Sequence, residues 1–409
     1  MAGSTAAVAA ILLLARPAPA DVSHDSYVEI AQGRYLAAAG DCEACHTAPG
    51  GKPFAGGRAI DTPFGTIYSS NITPDLTTGI GGWSDAQFYR AMHEGIAADG
   101  HHLYPAFPYP WYTKLSRADV TAIRTYLRTL DPASNRTPDN RLTWPLGYRG
   151  LMVGWNGLFF RAGTFQPDLS KSEQWNRGAY LVQGAGHCGA CHTQTNLFGA
   201  TDKKDSLQGG NLQSWYAPSL TSDLKTGVGA WTEEQIVTFL KTGRNELSAA
   251  YGPMAEVVDF STSQMSEADL RAIAVYLKNL PAETDKEKPK QPPEAVAQAG
   301  QAIYVDSCSA CHAGGGEGVV GAFPPLKGNA VVQAPDATTV IRLILEGGRT
   351  VPTDDAPTPH SMPAYGWKLD DEQIAAVASY IRSSWDNAAA PVDAGDVKKL
   401  RRELSASAE

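Results

Sequence analysis

Every cysteine in this 409-residue chain falls in one of three copies of a single motif: Cys42-Glu-Ala-Cys45-His46, Cys188-Gly-Ala-Cys191-His192 and Cys308-Ser-Ala-Cys311-His312. C-x-x-C-H is the signature of covalent c-type haem attachment. Two thiols on one turn reach the two vinyl groups of the porphyrin, and the adjacent imidazole turns onto the iron as proximal ligand. A redox dithiol, a zinc half-site or a structural disulfide would use the same cysteines. A redox dithiol does not need a histidine after it three times over. Zinc needs paired ligand sets, and these motifs begin 146 and 120 residues apart. Three covalently bound haem c groups are therefore expected.

The repeat extends beyond the motifs. Asn71-Ile-Thr-Pro-Asp-Leu-Thr-Thr-Gly-Ile-Gly-Gly-Trp83 matches Ser219-Leu-Thr-Ser-Asp-Leu-Lys-Thr-Gly-Val-Gly-Ala-Trp231 at a constant offset of 148. Each tryptophan precedes a helix start of capping-box form, Ser84-x-x-Gln87 and Thr232-x-x-Gln235. Helices beginning near Ser116, Ser266 and Asp370 close the three units. Val120, Ile123, Leu127 and Leu130 in the first, and Leu270, Ile273, Leu277 and Leu280 in the second, have the spacing of a buried face. Each unit thus runs from a helix ending in the motif, through a long glycine- and proline-rich loop, to a terminal helix. The fold expected is all-α, built from small helical domains whose core is largely the porphyrin itself.

Residues 1–20 read as a signal peptide: an apolar run over 6–14, then Ala18-Pro19-Ala20 before Asp21. No Lys or Arg precedes the run, so a disordered alanine-rich tail is the competing reading. Units follow at 21–130, 176–280 and 295–386. A Pro- and Lys/Glu-rich linker is read at 281–294 and a polar tail at 387–409. The connection over 131–175 is too apolar for a plain linker, notably from Leu146 to Phe160. It packs the first two units together or docks another subunit or the membrane interface. No stretch reaches the ~18–20 apolar residues of a membrane-spanning helix. A net charge of −9 excludes a broad basic face for nucleic acid.

A second axial ligand should come from a loop in the second half of each unit. Met254, in Tyr251-Gly-Pro-Met-Ala-Glu, and Met362, in His360-Ser-Met-Pro-Ala-Tyr, occupy that place. Met92 and Met265 align with Leu240 and Leu115 and read as core. Phe107 holds the corresponding place in unit one, and phenylalanine cannot donate to iron. The site there is open or taken by His101, His102, His93 or Met92; His93 aligns with Lys241 and reads as exposed. His24, His187 and His360 read as solvated.

These strings, with Leu103-Tyr-Pro-Ala-Phe-Pro-Tyr109, Trp175-Asn-Arg-Gly-Ala-Tyr-Leu181, Gly252-Pro-Met-Ala-Glu256 and Met362-Pro-Ala, resemble the triple-haem cytochrome c subunits of bacterial membrane-associated dehydrogenases. The family includes alcohol, gluconate, sorbitol and fructose dehydrogenases. The resemblance implies three consecutive class I cytochrome c-like domains. It implies a periplasmic electron-transfer subunit at the outer face of the cytoplasmic membrane. Its partner would be a catalytic subunit carrying pyrroloquinoline quinone, flavin or molybdenum, with or without a small third subunit, and its acceptor ubiquinone. His and Met ligation carries onto His192 with Met254 and His312 with Met362; for unit one only His46 carries over. Some relatives end in a membrane helix, whereas this chain ends in Asp396-Val-Lys-Lys-Leu-Arg-Arg-Glu-Leu404, so peripheral association is expected.

No triad, paired carboxylates or Walker lysine stands out, and Gly314-Gly-Gly-Glu-Gly318 reads as a loop at the porphyrin edge. No catalytic site of the chain's own is expected. The competing readings are a peroxidase-like enzyme with an open iron in unit one, and a free-standing soluble carrier.

Overall fold

The computed structural model describes residues 24–202, 204–282 and 291–407. The proposed signal peptide and residues 283–290 of the linker lie outside the described residues.

Unit one comprises α1 (His24–Ala39), α2 (Cys42–His46), β1 (Ala59–Thr62), β2 (Gly65–Tyr68), α3 (Asp85–Glu94), α4 (Tyr109–Tyr112), α5 (Arg117–Leu127) and β3 (Arg141–Leu142). The connecting helix α6 (Leu151–Phe159) follows. Unit two comprises α7 (Glu173–Tyr180), β4 (Gly210–Leu212), β5 (Trp215–Ala217), α8 (Glu233–Thr242), α9 (Pro253–Phe260) and α10 (Glu267–Lys278). Unit three comprises α11 (Glu294–Ser307), α12 (Ser309–His312), α13 (Ala330–Gln333), α14 (Thr338–Glu346), β6 (Gly348–Arg349), β7 (Ser361–Met362), α15 (Asp371–Ser383) and α16 (Ala394–Ser407).

The predicted helix starts form as expected. Ser84 with Gln87 and Thr232 with Gln235 make complete capping boxes, and Asp370 with Gln373 makes a third. The fold is helix-rich but departs from all-α. The long loops turn back on themselves as short antiparallel pairs, β1–β2–β3, β4–β5 and β6–β7, because their backbone polar groups need partners where no helix supplies them.

In each unit the first helix crosses the closing helix at a glycine. A Cβ at Gly33 would stand 1.9 Å from the Ala122 carbonyl oxygen, at Gly178 2.0 Å from that of Ala272, and at Gly300 2.2 Å from that of Ala376. A cation from the closing helix then ties down the loop. Arg124 donates to the carbonyls of Ile80 and Trp83, Lys278 to those of Gly229 and Trp231, and Arg382 to those of Val332 and Ala334.

A single apolar core runs through units one and two. They meet reciprocally. Tyr35 on α1 donates to Asp269 on α10 at 2.6 Å, and Tyr180 on α7 donates to Asp119 on α5. Both hydroxyls accept from the cap residue of the opposite closing helix, Tyr35 from Ser266 N and Tyr180 from Ser116 N. This is the exchange expected of a pseudo-two-fold pair. Burial pushes the Asp269 carboxyl up, but the Arg177 and Tyr35 bonds outweigh it and hold it below the usual range.

Unit three has its own core. The stretch read as a polar tail belongs to that core. Its apolar residues fall on one face of α16, so Val397, Leu400 and Leu404 are buried, and Arg401 binds the carbonyls of Gly366 and Leu369 and pairs with Asp371.

Candidate functional site

The three attachment histidines are held alike. Nδ1 of His46 lies 2.6 Å from the Ser70 carbonyl, that of His192 2.7 Å from the Pro218 carbonyl, and that of His312 3.0 Å from the Pro324 carbonyl. A carbonyl only accepts, so each Nδ1 carries the proton and each Nε2 keeps its lone pair for a metal. Burial lowers the pKa of all three rings and keeps them neutral, against the opposing pull of the carbonyl bonds. Ser70 and Pro218 immediately precede the two copies of the 148-residue repeat. That repeat folds as a loop in which Asp75 caps Thr77 and Thr78, and Asp223 caps Lys225 and Thr226. Asn71 anchors the first copy, donating to the Ala133 carbonyl at 2.6 Å and accepting from Thr73 N. The repeat therefore builds the arm that fixes the imidazole.

No cysteine is in a disulfide. Burial pushes the thiols of Cys42, Cys45 and Cys191 up to about 12, and those of Cys188 and Cys308 up to about 11. Reactive dithiols need accessible thiolate at neutral pH, and these are held as thiols. Among the described residues no three His, Cys, Asp or Glu side chains converge as metal ligands do. The donor set is one free imidazole nitrogen beside two cysteine sulfurs, which suits a covalently attached porphyrin.

A cavity of about 1250 Å³ opens over His46. Cys42, Cys45, Ile80, Phe88, Met92 and Phe107 line it, and it continues to Gly189, Ala190 and Cys191 of unit two. That exceeds the ~300–1,000 Å³ of an ordinary small-molecule site. The cavity over the first attachment motif therefore reaches the second at Cys191, while Cys188 and His192 do not line it. Phe107 lines it and packs on Tyr112 at 5.5 Å. Met92 also lines it and is buried, as is Met265 elsewhere in the shared core, in keeping with the core readings of both. His101 reaches the cavity, but its Nδ1 is engaged 2.6 Å from Asp99 Oδ1. His102 contacts Asn156 instead, at 3.2 Å. His93, expected to be exposed, is half-buried because it stacks on Tyr89.

Met254 sits in the first turn of α9 and is half-buried. Pro253, Glu256 and Val257 of that helix line the shared cavity, and Met254 does not. Gly252 before it has φ +55, and a Cβ there would stand 2.4 Å from the Trp215 ring, so only glycine makes this turn. Met362 is half-buried against the unit-three core, its strand β7 paired to Gly348.

His187 corrects the sequence reading. Expected to be solvated, it is wedged between the two units because the residue before Cys188 lies where they meet. Its Nε2 is 3.3 Å from the Gly40 carbonyl and its ring stands edge-on to Tyr112 at 5.5 Å. The side chain of His24 lies outside the described residues.

Asp41, beside Cys42, is a further residue the sequence did not single out. Its Oδ1 is buried without a partner, its backbone is left-handed at φ 52, and Arg58 nearby bridges the Ala44 carbonyl and Glu256. Burial chiefly, then the Glu256 charge, raises its carboxyl to about 8, with Arg58 opposing. A carboxyl with a higher pKa folded than unfolded binds an extra proton in the folded state. Its contribution is then most favourable below the unfolded value of ~3.9 and weakens as pH rises to about 8. Asp41→Asn is expected to flatten that decline and to be more stable than the parent at pH 8 by ~1–2 kcal/mol. Denaturation midpoints of both holoproteins at pH 5 and pH 8 check this; equal slopes with pH would contradict it.

Comparison with known proteins agrees with this geometry. The family model described as Cytochrome c matches residues 30–131 and 297–385, and that described as Cytochrome C oxidase, cbb3-type, subunit III matches 173–277. The gluconate 2-dehydrogenase cytochrome c subunit of Pantoea cypripedii is 40% identical over 95% of this chain and 92% of that protein. The alcohol dehydrogenase (quinone) cytochrome c subunit of Gluconobacter oxydans is 41% identical over 91% of this chain and 82% of its own length. The fructose dehydrogenase cytochrome subunit of Gluconobacter japonicus is 36% identical over 97% and 89%.

Proposed function

The chain belongs to the cytochrome c subunits of bacterial dehydrogenases, and on that premise we propose that it carries three haem c groups and relays electrons to ubiquinone. The donor in this reading is a catalytic subunit with pyrroloquinoline quinone, flavin or molybdenum, and the site of action is the periplasmic face of the cytoplasmic membrane. The observation that carries it is the threefold recurrence of an attachment motif whose histidine keeps Nε2 free through a carbonyl-bound Nδ1.

Bound haem supplies one-electron exchange between ferric and ferrous iron. The chain's residues do the rest. Cys42 and Cys45, Cys188 and Cys191, and Cys308 and Cys311 would anchor the rings. His46, His192 and His312 would each offer a free Nε2 to the iron. Met254 and Met362 would offer thioethers to the irons of units two and three, which would leave those units no place for a substrate. The reciprocal Tyr35–Asp269 and Tyr180–Asp119 bonds hold the first two units against one another, with His187 set edge-on to Tyr112 between them.

The competing reading, a peroxidase-like enzyme at unit one, draws on Phe107 facing the cavity. Phenylalanine offers no acid–base group, and His101 is held by Asp99. The test is to mix holoprotein with its co-purified catalytic subunit, that subunit's substrate and a ubiquinone analogue. Haem reduction on substrate addition and reoxidation by the quinone supports the relay. Peroxide turnover by the isolated chain, without such reoxidation, favours the enzyme.

A further inference from the structure

We propose that α14 of unit three positions both axial ligands of unit two, and that Arg342 and Thr339 carry this role. This rests on the reading above that His192 and Met254 ligate the iron of unit two. The hairpin β4–β5 touches both ligand arms. Its Trp215 ring fills the space over Gly252, two residues before Met254, where a Cβ would stand 2.4 Å from the indole. Strand β5 ends at Ala217, and the next carbonyl, that of Pro218, lies 2.7 Å from Nδ1 of His192. One short strand therefore backs the turn that carries the methionine and orients the imidazole.

The hairpin does not hold itself in place. Its two-residue turn, Gln213-Ser214, has φ 46 and 57, the left-handed region that suits glycine and asparagine. Neither stands there, so the turn is strained and needs an outside hold. Nor is there a third strand. The matching hairpin of unit one takes β3 on the edge of β2, whereas β4–β5 is a pair alone. Helix α14 fills both gaps. Arg342 Nη1 donates to the Gln213 carbonyl at 2.8 Å and to that of Ser214 at 3.2 Å, and its guanidinium lies 4.4 Å from the centre of the Trp215 ring. Thr339 Oγ1 donates to the Tyr216 carbonyl and accepts from the Tyr216 N–H, both at 2.9 Å, the groups a third strand would take. Val340, Ile341, Ile344 and Leu345 bury the other face of α14 in the unit-three core, which makes the hold rigid. Tyr251, three residues before Met254, lies against Gly348 just beyond the same helix. The Met254 arm is thus backed from unit three at two points. Without that backing the turn can relax, and a looser thioether is displaced more easily and favours ferrous iron less.

The test uses holoprotein. Arg342→Met keeps the length of the side chain and removes its charge and donors; Thr339→Val keeps the shape and removes both bonds to Tyr216. Imidazole titration of the ferric protein, followed at the methionine-to-iron charge-transfer band, is paired with a redox titration. The unit-two component in each is the one altered in Met254→Leu. Both variants are expected to need about tenfold less imidazole to displace that ligand and to lower that one potential, with three haems retained. Arg244→Met removes another bond between the same two units, to the Thr358 carbonyl at 2.8 Å, and is expected to leave unit two as in the parent. Parent-like displacement and potential in Arg342→Met and Thr339→Val, with Met254→Leu altered, overturns the positioning role and leaves the ligand reading standing. An equal effect in Arg244→Met overturns it too, because any weakening between the units would then suffice. Met254→Leu indistinguishable from the parent removes the ligand reading, and this inference with it.

Discussion

Replacing Gly178 with valine is expected to cost about 4 kcal/mol, a large share of a domain's net stability, and to bring the denaturation midpoint sharply down. The cause is the closeness of α7 and α10. A single Cβ at Gly178 already lies 2.0 Å from the Ala272 carbonyl oxygen and 2.8 Å from Tyr276 Cβ. Backbone cannot rotate out of the way as a long side chain does, so the helices must part. Parting them disturbs Arg177, which anchors Asp269, and through Asp269 the bond from Tyr35 of unit one. The damage therefore reaches the core both units share. Gly314→Ala is the control, because a Cβ there meets nothing within 4 Å, and a change within about 0.5 kcal/mol is expected. Guanidinium midpoints and haem content of the three holoproteins decide the matter. A Gly178→Val midpoint equal to that of the control would show that the crossing tolerates separation.

Met254→Leu and Met362→Leu are each expected to lower the potential of one haem by on the order of 100 mV, leaving the others in place. Leucine conserves volume, so packing changes little, while the thioether that favours ferrous iron is gone. The same change should open that unit to carbon monoxide. Phe107→Met is expected to act in the opposite direction on unit one, because Phe107 faces the cavity over His46. Spectroelectrochemical titration of parent and variants, with carbon monoxide difference spectra, reads both effects. Unchanged potentials in Met254→Leu and Met362→Leu would remove these methionines from the iron.

What was readable in the sequence was whatever the chain writes locally or repeats. The capping boxes at Ser84 and Thr232, the closing-helix start at Asp370 and the core positions Met92 and Met265 depend on near neighbours or on the offset of 148, and they fold as read. The glycines of the helix crossings also carry a signal, Gly33-Arg-Tyr35 and Gly178-Ala-Tyr180 ahead of successive motifs. The rest depends on tertiary contact. Tyr35 and Asp269 are 234 positions apart, and no local pattern joins them. His187 resembles any loop histidine until unit one packs against it. Residues 394–407 have a polar composition, and only their periodicity, with Val397, Leu400 and Leu404 on one face, separates a docked helix from a tail. The short sheets escaped because strands of two to four residues carry too little alternation to register.

The central claim is that this polypeptide holds three covalently attached porphyrins, one at each Cys-x-x-Cys-His sequence. The intact mass of the holoprotein after acid–acetone extraction and denaturation tests it most directly. A chain heavier than residues 21–409 by three haem equivalents is expected, with no chromophore in the organic phase. A mass equal to that of bare residues 21–409, or iron porphyrin released into the solvent, would contradict it.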